Sequence, residues 1–428
     1  MKKMVINGSA VCSVLLFLVF FNGCVKDSCT SVSTYSYYIP VYRTRAEVRA
    51  NIKSDLPREV NSPGKIVIQG KYIFLNEVDE GIHVIDNSDP ASPHNVAFIN
   101  IPGNMDLALK GNTLYADLYT DLVTLDITDP LHVVVKKYND GVFPFRAYGN
   151  GFYNDTSMII SRWIKRDTSV AGNCGGNFTT TMDSQAIMTE YSGASTPAAA
   201  QKSSSPAGTG GSMARFAIVK DRLYTVSNSD LSVFNIASPS NPAFTNKLNL
   251  GNWQVETIFP FRDQLFIGSQ NGVFVYDISH PDDPFQIGQF AHVQSCDPVI
   301  SDGHFVYVTL RTGSSCFGNA NQLKIFLFNS FTQLTPVKDY DLTNPHGLSK
   351  DGDLLFICDG TDGLKIYNSS DVADLKLIKT FGALETYDVI ATNHIALVVA
   401  RDGLYQYDYT NTGNIYLISK IGIKNNQP

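Results

Sequence analysis

Gly81-Ile-His-Val-Ile-Asp-Asn-Ser-Asp-Pro-Ala-Ser-Pro93 is the stretch that decides how this chain folds. Ile82, Val84 and Asp86 alternate with His83 and Ile85, the period of a β-strand. Residues 87–93 then supply turn chemistry: Asn, Ser and Asp side chains bond their own backbone, and each Pro fixes φ and withholds an N–H. The same phrase returns as Leu122-Val-Thr-Leu-Asp-Ile-Thr-Asp-Pro130, as Leu231-Ser-Val-Phe-Asn-Ile-Ala-Ser-Pro239 and as Gly272-Val-Phe-Val-Tyr-Asp-Ile-Ser-His-Pro281. Eroded copies stand at Leu323-Lys-Ile-Phe-Leu-Phe-Asn329, Gly363-Leu-Lys-Ile-Tyr-Asn368 and Gly403-Leu-Tyr-Gln-Tyr-Asp408.

The first unit divides into four strand-sized pieces, residues 65–69, 71–78, 81–87 and 95–101. A period of about 40 residues with four short strands per unit is that of a propeller blade. Each small sheet is hydrophobic on both faces and buries neither alone, so the units pack radially. This also lets 428 residues fold without one oversized core. No segment sustains a 3.6-residue apolar period over a dozen positions, so helical solenoids fit poorly, and the open β-solenoid, the other alternative, usually has shorter repeats. The units run at about 64–101, 103–138, 213–250, 252–291, 295–342, 344–382 and 385–423. The expected fold is all-β, a propeller of seven four-stranded blades. The alternative count is eight, if residues 142–169 complete a degenerate blade.

The hydrophobic-Val/Ile-Asp-x-Ser-x-Pro signature resembles that of the LVIVD-repeat proteins, over roughly residues 64–423. The resemblance implies a β-propeller, often carried on lipoproteins of Gram-negative bacteria. It implies a fold far more than an activity.

Met1 to Gly23 reads as a signal peptide: Lys2 and Lys3, an apolar run over residues 10–21, then Asn22-Gly23-Cys24. The run is too short for a comfortable transmembrane helix. Gly before Cys resembles a lipobox, with Phe21 where Leu is usual, and makes Cys24 the expected lipidated first residue of the mature protein. Residues 24–62 then form a tether. Its Tyr35, Tyr37, Ile39 and Val41 alternate as an added edge strand for the last unit, and residues 45–52 form a short helix. The propeller occupies residues 63–428. Residues 168–212 are small and polar and read as a mobile insertion, with Gly208-Thr-Gly-Gly-Ser212 as linker.

The chain is 43% hydrophobic and 17% charged, with a net charge of −7. That balance argues against a nucleic-acid or other polyanionic partner, which needs clustered Lys and Arg. No Gly-x-Ser-x-Gly elbow, His-Glu-x-x-His or P-loop appears. No catalytic residue, cofactor or metal site is assigned. Asn344-Pro-His-Gly347 and Cys358-Asp-Gly-Thr-Asp-Gly363 bring His, Cys and two carboxylates together, but the spacing suits a hairpin turn better than a metal. His83, inside a strand, reads as packed.

Topology gives the better handle on a site. Aligning the units on the turn after their first strands puts Lys65, Asp106, Arg215, Glu256, Asp297, His346 and Asp388 around one mouth of the central channel. Loops between second and third strands open on the same face and add Glu77, Asp79, Tyr119, Asp121, Arg311, Asp359, Asp362 and Arg401. The candidate ligand face is Asp106, Arg215, Glu256, Asp297, Arg311, His346, Asp359 and Asp388, weighed against plain solvation of a rim. Beyond Cys24, an exported chain leaves Cys29, Cys174, Cys296, Cys316 and Cys358, an odd number. Cys296 and Cys316 share the mouth face and form the expected disulfide, with Cys174 as competing partner, while Cys358 reads as a buried thiol.

The expected function is a non-enzymatic binding or scaffold module, membrane-anchored at the envelope of a Gram-negative bacterium. It is expected as an outer-membrane lipoprotein with either a periplasmic or a surface orientation, and its ligand is a protein or glycan. The alternative is a glycan-acting hydrolase or lyase using Asp297, His346 and Glu256 as acid–base groups.

Overall fold

The computed structural model describes residues 30–143, 158–173, 198–199, 209–251, 254–291, 298–312, 320–328 and 334–423. The chain forms two compact units: residues 1–40 with 163–188, and residues 41–162 with 189–428.

The larger unit holds seven four-stranded antiparallel blades, each running in chain order from the axis outward. The first blade is Pro63–Gln69, Tyr72–Glu77, Gly81–Asp86 and His94–Asn100; the last is Thr386–Thr392, Ile395–Ala400, Gly403–Asp408 and Tyr416–Gly422. Between them, blades 2 to 6 start at Leu107–Lys110, Phe216–Val219, Val255–Phe261, Val299–Ser301 and Leu348–Asp351. Strand alternation explains how one blade serves two cores. Phe74, Ile82 and Val84 pack with Leu114 and Val123 of blade 2. Ile73, Leu75 and Ile85 point the other way and pack with Ile390, Leu397 and Val399 of blade 7. That second core closes the ring.

The repeat signature earns its conservation of type from a turn, seen again in each clear copy. Asp86 Oδ1 accepts the Ser88 N–H at 2.9 Å, Asp126 Oδ1 that of Thr128 at 2.9 Å, and Asp277 Oδ1 that of Ser279 at 2.7 Å. This is the Asx turn that an Asp two residues before a Ser or Thr favours. The tyrosines of second strands brace those turns from the preceding blade: Tyr115 Oη donates to Pro239 O and Tyr224 Oη to Pro281 O, each at 2.8 Å.

The expectation for the edge strand changes, while the seven-blade count and the short helix stand. Tyr35–Val41 lies within strand Thr30–Thr44, which pairs with Met158–Asn173 and not with the last blade. The last blade already owns four strands, so the added edge strand is Lys53–Asp55, paired with the outermost strand of blade 1. Because Met158–Asn173 is taken by that two-stranded sheet, it completes no degenerate blade, and the count is seven. The helix forms over Arg45–Arg49, with a capping box in which Glu47 N donates to Thr44 Oγ1 and Thr44 N to Glu47 Oε2. Val48 enters the core of blades 1 and 2, and Arg49 Nη2 binds Asp121 Oδ2 at 2.6 Å.

The stretch 168–212 contributes strands at both ends. Residues 168–173 belong to Met158–Asn173, and Thr209–Ser212 pairs with the innermost strand of blade 1. Ala198–Ala199 pairs in turn with Gly211 and Ser212 and lies beside the innermost strands of blades 4, 5, 6 and 7. These two short paired strands therefore lie among the innermost strands of the ring. Within Gly208–Ser212, read as linker, Thr209–Ser212 instead forms a strand paired with blade 1, and Ser212 is fully buried.

Candidate functional site

The entry to each innermost strand carries a polar side chain at an equivalent position, and the radial arrangement of blades brings these side chains together. Lys65 stands in the first strand of blade 1; Asp106 and Arg215 immediately precede those of blades 2 and 3. Lys65 Nζ lies 3.8 Å from Asp106 Oδ2 and also donates to Met213 O. Asp106 Oδ2 accepts the Arg215 N–H, and its Oδ1 accepts the Leu107 N–H at 2.7 Å. Arg215 Nη2 reaches Val255 O at 3.4 Å, and Gln270 Nε2 donates to Glu256 Oε1 at 2.9 Å. On the far side, Asp388 Oδ1 accepts from Ser212 Oγ at 3.2 Å, and Ser212 Oγ accepts the Leu348 N–H at 2.6 Å. Gly347 makes this approach possible, since a Cβ there would sit 1.8 Å from Asp388 Oδ1.

Removal from water governs the charges of this ring. Burial lowers Lys65 to about 8, only partly offset by Asp106, and raises Asp106 to about 6 against the pull of Lys65 and the Arg215 N–H. Both stay ionised at neutral pH as a close buried pair. Burial raises Glu256, against the Gln270 bond and the Arg215, Arg311 and Lys65 charges, and raises Asp388 well above its usual range. Burial and then the Arg311 cation push His346 down to about 3, so its imidazole is neutral. Two buried atoms of the ring lack a hydrogen-bond partner, His346 Nδ1 and Asp388 Oδ2.

The ring opens outward between blades 2 and 3. A pocket of ≈ 40 Å³ there is lined by Asp106, Arg215, Tyr119, Phe143, Phe216 and Asn228 among others. Phe143 and Phe216 stack with centroids 5.6 Å apart and form its apolar wall. Its volume suits a few waters or one small polar group of a larger ligand.

Of the candidate ligand face, Asp106, Arg215, Glu256, His346, Arg311 and Asp388 fall in this connected ring, while Asp297 lies outside the described residues. Asp359 does not join it. Its buried carboxylate accepts the Thr343 N–H at 2.9 Å, the Asn344 N–H at 2.8 Å and Lys365 Nζ at 2.5 Å, which holds the strand-entry turn of blade 6. Glu77 plays the same part in blade 1, bonded to the Ser62 N–H at 2.6 Å and to His83 Nε2 at 2.8 Å, so His83 is a packed core residue. Asp117 does so in blade 2, accepting the Met105 and Asp106 N–H groups at 2.8 Å each. Their acidic type follows from the two or three donors each must satisfy. Cys296 and Cys316 lie outside the described residues; Cys358 is a free, buried thiol that burial pushes well up. Among the described residues, no group of three or more His, Cys, Asp or Glu side chains is placed to hold a metal ion. Sequence reading missed Ser212, because its segment looked like linker, and Phe143, which no motif marks.

The LVIVD repeat model matches residues 63–99, the first blade. No curated protein sequence matches the chain. Among solved structures, the periplasmic gluconolactonase PpgL of Pseudomonas aeruginosa is 13% identical, with 85% of this chain and 97% of that one covered at a TM-score of 0.49. A protein from Lactobacillus plantarum is 12% identical, with 76% and 86% covered at a TM-score of 0.49. BamB from Moraxella catarrhalis is 8% identical, with 82% of each chain covered at a TM-score of 0.45. The fold itself rests on the strand pairing described above. The larger unit of this chain is thus a seven-bladed β-propeller whose first blade matches the LVIVD repeat.

Proposed function

We propose that the protein is a non-enzymatic binding module of the cell envelope, held to a membrane through lipidated Cys24, that takes a polar group of a protein or glycan ligand at the pocket beside Asp106 and Arg215. One observation carries the binding reading. Three ionisable side chains at the channel mouth bond the protein itself: Lys65 with Met213 O, Asp106 with two backbone N–H groups, and Asp388 through Oδ1 with Ser212. Groups held this way shape a rigid recognition surface, whereas acid–base turnover needs a group free to exchange protons with substrate. His346, neutral and pushed down to about 3, makes a poor general acid. The placement at the outer membrane of a Gram-negative bacterium, facing periplasm or surface, rests on the lipobox-like Asn22-Gly23-Cys24.

The glycan-acting hydrolase or lyase is the second reading, favoured by the rise of Asp106 to about 6 at the pocket wall. Two measurements test the proposal. Labelled palmitate should enter the wild type and not Cys24→Ala, and absence of label from the wild type would remove the anchor. Binding on a glycan or envelope-protein array should be lost in Arg215→Ala with unfolding unchanged. Cleavage of an arrayed glycan by the wild type would replace the binding reading with the enzymatic one.

A further inference from the structure

Among the described residues, the smaller unit carries a face that no other part of that unit covers. Thr34 Oγ1 lies 3.1 Å from Ser169 Oγ, and Ser36 Oγ donates to Asp167 Oδ1 at 2.6 Å. These two pairs set an antiparallel register in which Tyr37 lies opposite Arg166 and Ile39 opposite Ile164. By strand alternation the polar bonds use one face, and Tyr35, Tyr37 and Ile39 share the other. Those three side chains are 42%, 45% and 42% exposed, and Arg166 beside them is exposed as well. A two-stranded ribbon gains little stability alone, and an uncovered Tyr-Tyr-Ile stripe marks a surface that something covers.

We propose that the Tyr35–Tyr37–Ile39 face of this ribbon, with Arg166 at its side, lies on the headgroup layer of an anionic lipid bilayer. The proposal rests on the anchor reading and deepens it. Tyrosine has an apolar ring and a polar tip, the combination favoured at the membrane–water boundary, and isoleucine supplies purely apolar area. Charge selects the anionic surface: the chain carries −7 overall, yet the charge that this register places beside Tyr37 is the cation Arg166, while Asp167 lies on the opposite face with Ser36. Reach selects a bilayer over a distant partner. Tyr35 follows Cys24 by eleven positions, which span at most about 40 Å, so a lipid on Cys24 keeps the face at the surface that holds the anchor.

The test uses the mature chain from residue 25, which contains every described residue and lacks the acyl chain. It is floated with vesicles of phosphatidylcholine containing phosphatidylglycerol, and with phosphatidylcholine alone. The wild-type chain should float with the anionic vesicles and less with the neutral ones. A Tyr35→Ser, Tyr37→Ser, Ile39→Ser variant should bind about tenfold less, since interfacial binding scales with buried apolar area. Arg166→Glu should weaken only the anionic binding, and it keeps the proposal decidable should the triple variant unfold. No flotation, or flotation that neither variant changes, overturns it. A dimer in sedimentation that the triple variant abolishes, without flotation, assigns the face to a second copy and also overturns it. Flotation without palmitate on Cys24 supports the ribbon and withdraws the anchor; palmitate without flotation does the reverse.

Discussion

The side-chain amides of Asn87 and Gln406 meet in a reciprocal pair although 319 positions separate them in the chain: Asn87 Nδ2 donates to Gln406 Oε1 at 3.0 Å, and Gln406 Nε2 to Asn87 Oδ1 at 2.7 Å. They join the turn of blade 1 to the third strand of blade 7 and clamp the ring where its two ends meet. Gln406 also donates to Pro90 O, as does Ser419 Oγ at 2.7 Å. Since the last blade has four strands of its own, side chains and the Ile73–Leu397 core do the closing that a shared strand would otherwise do.

Gln406→Ala should therefore destabilise the propeller by about 0.5–1.5 kcal/mol, because the half-buried partners in blade 1 lose a donor and an acceptor together. Urea unfolding of Gln406→Ala, Asn87→Ala and the double variant measures this. The two losses should overlap in the cycle, whereas strictly additive effects would show that the amides do not act as a pair.

The glycine that opens the third strand of blade 1 is required by geometry. Gly81 has φ of +148°, and a Cβ there would lie 2.1 Å from Ile99 O on the paired strand. Gly81→Ala should cost about 2–3 kcal/mol through forced separation of those strands. An unchanged denaturation midpoint would show that the strands part without strain.

Ser212 holds strand Thr209–Ser212 to blades 6 and 7 through Leu348 N and Asp388. Ser212→Ala should cost about 1–3 kcal/mol, since both buried partners are left unmet. Excising residues 198–212 should cost more, by also removing the strand on the inner edge of blade 1. Thermal unfolding of the three proteins checks the order, and an excised form as stable as the wild type would show these short strands to be dispensable.

Asp388 gives the stability of the ring a pH dependence opposite to that of a salt-bridged surface carboxylate. Its folded pKa lies above the unfolded value, so between the two the native state holds an extra proton and stability falls as pH rises through that window. Asp106, raised to about 6, acts in the same direction. Asp388→Asn mimics the protonated acid, and its melting temperature relative to wild type should rise as pH increases from about 5 to about 8. An advantage that shrinks over that range would mean the carboxylate is ionised and stabilising.

Blade architecture was legible in the sequence because it is written in local terms. A strand period of two, an Asx turn from Asp86 to Ser88 and a glycine such as Gly81 each act within a few residues, and their recurrence states the fold. The channel-mouth ring was legible for the same reason: Lys65, Asp106, Arg215, Glu256, His346 and Asp388 hold equivalent places in successive repeats, so aligning repeats places them together. Tertiary structure decided what repetition does not encode. Asp359 and Glu77 share a face with the ring, yet backbone N–H groups from neighbouring turns claim their carboxylates. Ser212 and the pairing of Thr30–Thr44 with Met158–Asn173 involve partners far apart in sequence, in segments without a repeat to align. The burial of Ser212 depends on the innermost strands that surround it, a property of the assembled blades and not of any local stretch.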